Sequence, residues 1–429
     1  MRLFLILCFL ASFTANAHAA TVKVEKTGKG WQLLVDGAPF LVKGICYTSN
    51  EVGKSAHDNT LRDWMEIDDD NDGRNDLAYQ SWVDKNLNSA RDEDEPEVGD
   101  FQLLKDMGAN TLRIYHHPSD NPELLALNPA ATTLLGHAPN KKLLREMHEK
   151  YGIWVMMGDL IGAYAVGSGA EWKNGTDYRD PVQRTNMMKS VENMVLEFKD
   201  EPYILIWAIG NENNLTHYTQ NNSAKYPEDY AKFVNEVARR IHELDPNHPV
   251  CLVNGETMMA DVYAKFSPDV DIFGMNSYRN WQGFNTLWKE VDAKYDKPVL
   301  ITEYGTGYPP VNKTKLAMRE DRQARMHEEG WLDIEAHAAG GPKQPNNAIG
   351  GLAFEWTDNW WQSGQPLTQD LAANDWHFEW NGIAGQGDGT QSPRIRQLRK
   401  VYFMYKERWN TSSDQEGDRA AIDQKTDKD

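Results

Sequence analysis

The chain has 429 residues and sets 45 basic against 64 acidic side chains, a net charge of −19. That balance argues against nucleic acid or any other polyanion as a partner, whereas a neutral polymer would not be repelled. Fifteen Trp and seventeen Tyr supply flat apolar faces that suit sugar rings as well as a packed core.

In chain order, the first feature is an early cation, Arg2, followed by an apolar run from Leu3 to Phe13 and small residues ending in Ala15-Asn16-Ala17-His18-Ala19. This predicts a cleaved secretory signal over residues 1–19 and hence a secreted protein, extracellular or periplasmic. No later segment is long and apolar enough to span a bilayer, so no membrane association is expected after cleavage. Lys23 to Val35 reads as two short strands, and Asp36-Gly37 turns the chain into the apolar run Phe40 to Cys46. Further strand-like runs follow at Thr111 to Tyr115, Ile153 to Met157, Tyr203 to Ile209, Val250 to Val253, Ile272 to Met275, Val299 to Ile301 and Ile349 to Phe354.

Amphipathic helices separate these runs. Met187, Val191, Met194, Val195 and Phe198 fall on one helical face, as do Tyr230, Val234, Val237, Ile241 and Leu244. Gly108 and Gly152 stand where helices should stop. Eight strand–helix units predict an α/β fold, a closed (β/α)8 barrel over residues 20–410. A doubly wound open sheet is the alternative, but no G-x-G-x-x-G follows any strand. The polar segment 411–429 reads as a disordered tail. Once Cys8 leaves with the signal, Cys46 and Cys251 remain, both in apolar runs and both expected in the core.

Barrels of this kind build their sites where strands end. The fourth strand runs into Asn211-Glu212 and the seventh into Glu303-Tyr304-Gly305. Both carboxyl groups should therefore meet at one rim, the arrangement that glycoside cleavage requires. The motifs "WAIGNEN" and "PVLITEYG" resemble those of glycoside hydrolase clan A. "DGAPFLVKGICY", "GANTLRIYH", "FGMNSY" and "GGLAFEWTDNWW" are similar to the first, second, sixth and eighth strands of the family 2 catalytic barrel; the first of these also resembles the β-1,3-glucanosyltransferases. The resemblance implies a retaining β-glycosidase with Glu212 as acid/base and Glu303 as nucleophile. It further implies that Asn211 binds the sugar 2-hydroxyl, that Arg113 and Tyr278 hold Glu303, and that Trp356 forms the floor under the reacting sugar. Glu256 and Asp159 also fall at strand ends, where loop structure or substrate hydrogen bonding is expected of them. His116 follows strand two and is expected to hydrogen-bond at the rim. The expected partner is a β-linked oligo- or polysaccharide, either hydrolysed or transferred; a non-catalytic sugar-binding barrel is the rival from another class. Family 2 enzymes usually carry β-sandwich domains before the barrel, where this chain has a short hairpin.

An acidic insertion occupies residues 50–100. Asp68, Asp70, Asp72, Gly73 and Asp76 take positions one, three, five, six and nine of a calcium loop, with Tyr79 at position twelve. A second register begins at Asp84 and continues through Asn86, Asn88 and Asp92 to Glu95 at twelve, with Ser89 where Gly is usual. A structural calcium ion is expected in at least one of them, and no cofactor is expected for catalysis.

Overall fold

The computed structural model describes residues 19–411 apart from 57, 59, 118–136, 138, 280–281, 307–315, 364 and 370–377. The expected signal, but for Ala19, and the expected tail, but for Thr411, lie outside the described residues.

Eight parallel strands close into a barrel in chain order. They are Val42–Cys46, Thr111–Ile114, Trp154–Asp159, Ile204–Ile209, Val250–Gly255, Ile272–Asn276, Val299–Tyr304 and Ala348–Ala353. Each expected run is one of these strands. The alternation of the fourth shows how the wall is built. Past the register irregularity at Leu205, Ile206 and Ala208 join the cluster inside the barrel, while Trp207 and Ile209 join the outer cluster with helix residues such as Val191 and Val195. Cys46 and Cys251 are buried free thiols of the inner cluster.

The helices begin and end as their sequences direct. Asp180 caps Pro181–Phe198 by accepting from the backbone N–H groups of Val182 and Gln183, and Pro181 opens the first turn. Gly108 and Gly152 end their helices in the left-handed conformation, at φ 92° and 71°. The two apolar faces expected from spacing are the buried ones, with Leu244 partly buried at the end of its helix.

Two additions shape the barrel's ends. The strands Val22–Thr27, Gly30–Val35 and Ala38–Phe40 form an antiparallel sheet, one short strand more than the expected pair. Val22 and Leu33 pack into the inner cluster, and Val22 N–H and Trp31 N–H donate to Asn247 and Asn346 carbonyls, each at 2.8 Å. Both acceptors shortly precede a barrel strand, so this sheet covers the end opposite the candidate site. The acidic insertion carries its own short helix, Asp76–Gln80, and buries Trp64, Met65, Ile67 and Leu77 in the outer cluster. Its strand Trp82–Val83 pairs in parallel with Ile395–Leu398 near the C-terminal helix Lys400–Asn410.

Candidate active site

The fourth strand ends at Ile209, and the chain reverses through Gly210 at φ 78° and Glu212 at φ 55°. A positive φ is costly for a glutamate and persists only where neighbours over-determine it. Here Glu212 N–H donates to Val253 carbonyl at 3.1 Å, and its own carbonyl accepts from Leu215 N–H at 2.7 Å and Thr219 Oγ1 at 3.3 Å. Asn213 pins the same turn from within. Its Oδ1 accepts from Asn211 N–H at 2.8 Å, and its Nδ2 donates to Tyr178 Oη at 2.7 Å.

The seventh strand continues through Glu303 to Tyr304, so Glu303 is a strand residue rather than the start of a loop. Against the sixth strand the register passes from Met275–Ile301 to Asn276–Glu303 and skips Thr302. Such an irregularity re-aims a side chain. Thr302 Oγ1 bonds to Asn276 Oδ1 at 2.8 Å, and Glu303 is gripped from three sides. Arg113 Nη1 donates to its Oε1 at 2.9 Å, Tyr115 Oη to the same oxygen at 2.7 Å, and Tyr278 Oη to Oε2 at 2.7 Å. The other guanidinium nitrogen, Nη2, donates to Asn211 Oδ1 at 2.7 Å, which also accepts from Asn276 Nδ2 at 3.1 Å. Arg113 lies 1% exposed over the Tyr115 ring, 4.0 Å from its centroid.

These contacts bring Glu303, Arg113, Tyr278 and Asn211 into one hydrogen-bonded group. Glu212 stands beside it. Burial, and then the negative charge of Glu303, push its carboxyl up to about 8, against a smaller lowering by its hydrogen bond to the Asn276 side chain. The site thus pairs a carboxylate held by one cation and two hydroxyls with a carboxyl that retains its proton.

Tyr115, Asn276 and Phe354 are additions to the expected residues. A signal for Tyr115 was present: in the expected run Thr111 to Tyr115 it stands two residues from Arg113, and although the strand ends at Ile114, Tyr115 keeps to the inner cluster. Trp356 requires a correction. It has no accessible surface, belongs to the outer cluster and meets the ring of Tyr402 at 6.3 Å, so it cannot lie under a sugar. The eighth strand ends at Ala353, and alternation does not extend past a strand end. Phe354 instead belongs to the inner cluster and sets its ring edge-on to Tyr278 at 6.2 Å. Next to it, Glu355 is fully buried and accepts from Thr48 Oγ1 and Asn359 Nδ2. Burial holds its carboxyl well above the usual range.

His116 is buried, with Nδ1 facing Leu160 N–H at 3.4 Å and Asp159 at 3.7 Å. Burial lowers its affinity for a proton. Asp159 serves the loop, accepting from Ile161 N–H at 2.8 Å and Ser190 Oγ at 2.6 Å. Glu256 accepts from Ser277 Oγ at 2.5 Å and pairs with Arg279 at 2.8 Å. Among the described residues, the carboxylates grouped closely enough to hold a metal are Asp68, Asp70 and Asp76 in the insertion. The second register, Asp84 to Glu95, is a separate loop in which Asn86 Nδ2 and Asn88 Nδ2 both donate to Asp92 Oδ2, at 2.7 and 2.9 Å. No described helix is long and apolar enough to cross a membrane.

Comparison with known proteins agrees with this barrel. Residues 123–314 match the TIM barrel domain of the glycosyl hydrolases family 2. A β-glucuronidase of Homo sapiens is 25% identical over 279 residues, 61% of this chain and 35% of that protein. One of Pongo abelii is 24% identical over 330 residues, 73% of this chain and 40% of that protein. Among solved structures, a β-D-glucuronidase of Dictyoglomus thermophilum superposes with a TM-score of 0.56 at 19% identity, covering 92% of this chain and 54% of that one. A family 2 β-galacturonidase of Eisenbergiella tayi gives 0.53 at 16%, with the same coverage. The chain therefore spans well under half the length of these curated relatives.

Proposed function

We propose that this chain, whose residues 123–314 match the family 2 TIM barrel domain, is a secreted retaining hydrolase of a β-linked glucan or a related β-glycoside. The observation that carries this reading is the grip of Arg113, Tyr115 and Tyr278 on Glu303, with Glu212 beside it, its proton affinity raised by burial and by the charge of Glu303. Three donors hold the Glu303 carboxylate for attack on the anomeric carbon. As the C–O bond to the leaving group breaks, Glu212 gives its proton to the departing oxygen, and an ester joins the sugar to Glu303. Glu212, now ionised, takes a proton from water, whose oxygen attacks the same carbon and releases Glu303. Asn211, its Oδ1 fixed by Arg113 and Asn276, orients the 2-hydroxyl, and Phe354 offers the apolar face beneath the ring.

The names of the relatives make a β-glucuronide the second substrate to assay. A neutral sugar is the first, because Arg113 and Arg279 are already committed to side chains at the barrel mouth. Arg113 serves Glu303 and Asn211, and Arg279 serves Glu256 and Glu290. Hydrolysis of aryl β-glucoside, β-galactoside, β-mannoside and β-glucuronide, followed by product analysis on β-glucans, tests the proposal. Cleavage of a neutral β-glycoside with retained anomeric configuration is expected. Turnover confined to the glucuronide would replace the substrate, and no turnover of any of them would favour a sugar-binding barrel.

A further inference from the structure

The two registers of the acidic insertion fold alike. In the first, Asp72 N–H donates to Asp68 Oδ1 and Asp70 Oδ1, Gly73 N–H to Asp68 Oδ2 and Arg74 N–H to Asp72 Oδ1, at 2.8–3.1 Å. In the second, Asn88, Ser89 and Ala90 N–H groups repeat that scheme on Asp84, Asn86 and Asn88, at 2.8–3.2 Å. Positions four and six have positive φ in both, at Asn71 and Gly73 and at Leu87 and Ser89. They differ in what closes the loop. In the second, Lys85 N–H at position two donates to Glu95 at position twelve. In the first, Asp69 N–H at position two donates to Asp76 Oδ2, at position nine, at 2.9 Å. Asp76 stands in for the missing acid at twelve.

That substitution leaves an unpaired carboxylate oxygen in the protein interior. Asp76 is fully buried. Its Oδ2 also accepts from Arg394 Nη2 at 2.8 Å, but its Oδ1 has no hydrogen-bond partner among the described residues, and neither has the buried Oε1 of Gln80. A buried polar oxygen left unpaired is destabilising, because it has lost its water partners without gaining others. The same Asp76 carboxylate converges with those of Asp68 and Asp70, their ligand oxygens all within 4.8 Å of one another. Gln80 Nε2 holds Asp70 Oδ2 and Asp72 Oδ2 from the far side, at 2.9 and 3.2 Å.

The structure assigns to this first loop a calcium site in which Asp76, with Asp68 and Asp70, supplies the carboxylate ligands. Several oxygens on an irregular loop suit calcium, which accepts six to eight ligands in flexible geometry, better than magnesium with its strict octahedron. The ion ties the insertion to the C-terminal segment. Arg394, on the other oxygen of Asp76, immediately precedes the strand Ile395–Leu398 that pairs with Trp82–Val83, and Trp82 N–H donates to Arg394 carbonyl at 2.9 Å.

The test uses the full chain stripped with a chelator. Added calcium chloride at a hundredfold excess over its dissociation constant should raise the melting temperature by roughly 3–5 °C, since binding to the folded state alone stabilises it by mass action. Magnesium at the same concentration should raise it less. Titration calorimetry should show calcium affinity falling at least tenfold in Asp68→Asn, whose side chain is only partly buried, and in Asp76→Asn. A control variant, Asp92→Asn in the second loop, should keep wild-type affinity. The assignment is overturned by an unchanged melting curve with no calcium in elemental analysis, by an equal response to magnesium, or by calcium affinity that survives Asp68→Asn and is lost in Asp92→Asn.

Discussion

Glu303 acts on Glu212 through charge: at the barrel mouth the negative charge of Glu303 is the second cause, after burial itself, of the raised proton affinity of Glu212. This relationship gives the proposed acid a proton to donate at neutral pH, where an ordinary carboxyl would have lost it.

The sign of the pH dependence follows. Glu212 is competent as an acid only while protonated, so kcat/KM should fall on the alkaline side, above the ordinary carboxyl range, as Glu212 ionises. Glu303→Gln removes the charge that raises it, and the Glu212 titration, followed by NMR of labelled glutamate, should move to lower pH. An unmoved titration would mean that the two groups are not coupled.

Tyr115 donates to the same Glu303 oxygen as Arg113. A hydrogen bond to a charged group contributes about 1.5–3 kcal/mol, so Tyr115→Phe should lower kcat by about 10- to 100-fold. KM for an activated aryl glycoside should change much less. A lowered melting temperature with unaltered kcat would make Tyr115 a packing residue only.

Phe354 and Trp356 should separate cleanly. Phe354→Ala takes the apolar face from beneath the sugar and should raise KM several-fold. Trp356→Ala empties a closed position beside Tyr402 and should cost about 3–5 kcal/mol of stability, read as a lowered denaturation midpoint with KM retained in the folded fraction. The reverse pattern would return the sugar platform to Trp356.

That exchange shows what the sequence conveys. Eight apolar runs and the helices between them were legible because period two and period 3.6 are written in residue type, and Asn211-Glu212 and Glu303 because they lie in or just past the last residues of a strand. Trp356 was misplaced because its direction depends on how the chain leaves Ala353, which no periodicity encodes. Asp76 was legible as position nine of a calcium-loop pattern, but its stand-in for the acid at twelve needed the turn of the helix Asp76–Gln80 against Arg394. Asn276 was silent for a similar reason: its contacts to Asn211, Arg113 and Thr302 cross three strands.

The most direct test of the central claim, that Glu303 is the nucleophile and Glu212 the acid/base, is the anomeric configuration of azide products from an activated aryl β-glycoside. Glu212→Ala should still form the glycosyl-enzyme, because an activated aryl group leaves without protonation, and should then stall for lack of a base. Azide needs no base and should rescue it with the β-glycosyl azide, the outcome of two displacements. In Glu303→Ala any rescue is a single displacement and should give the α-azide. The opposite pair of products would exchange the two roles, and wild-type activity of both variants on a natural glycan would contradict the assignment of the site altogether.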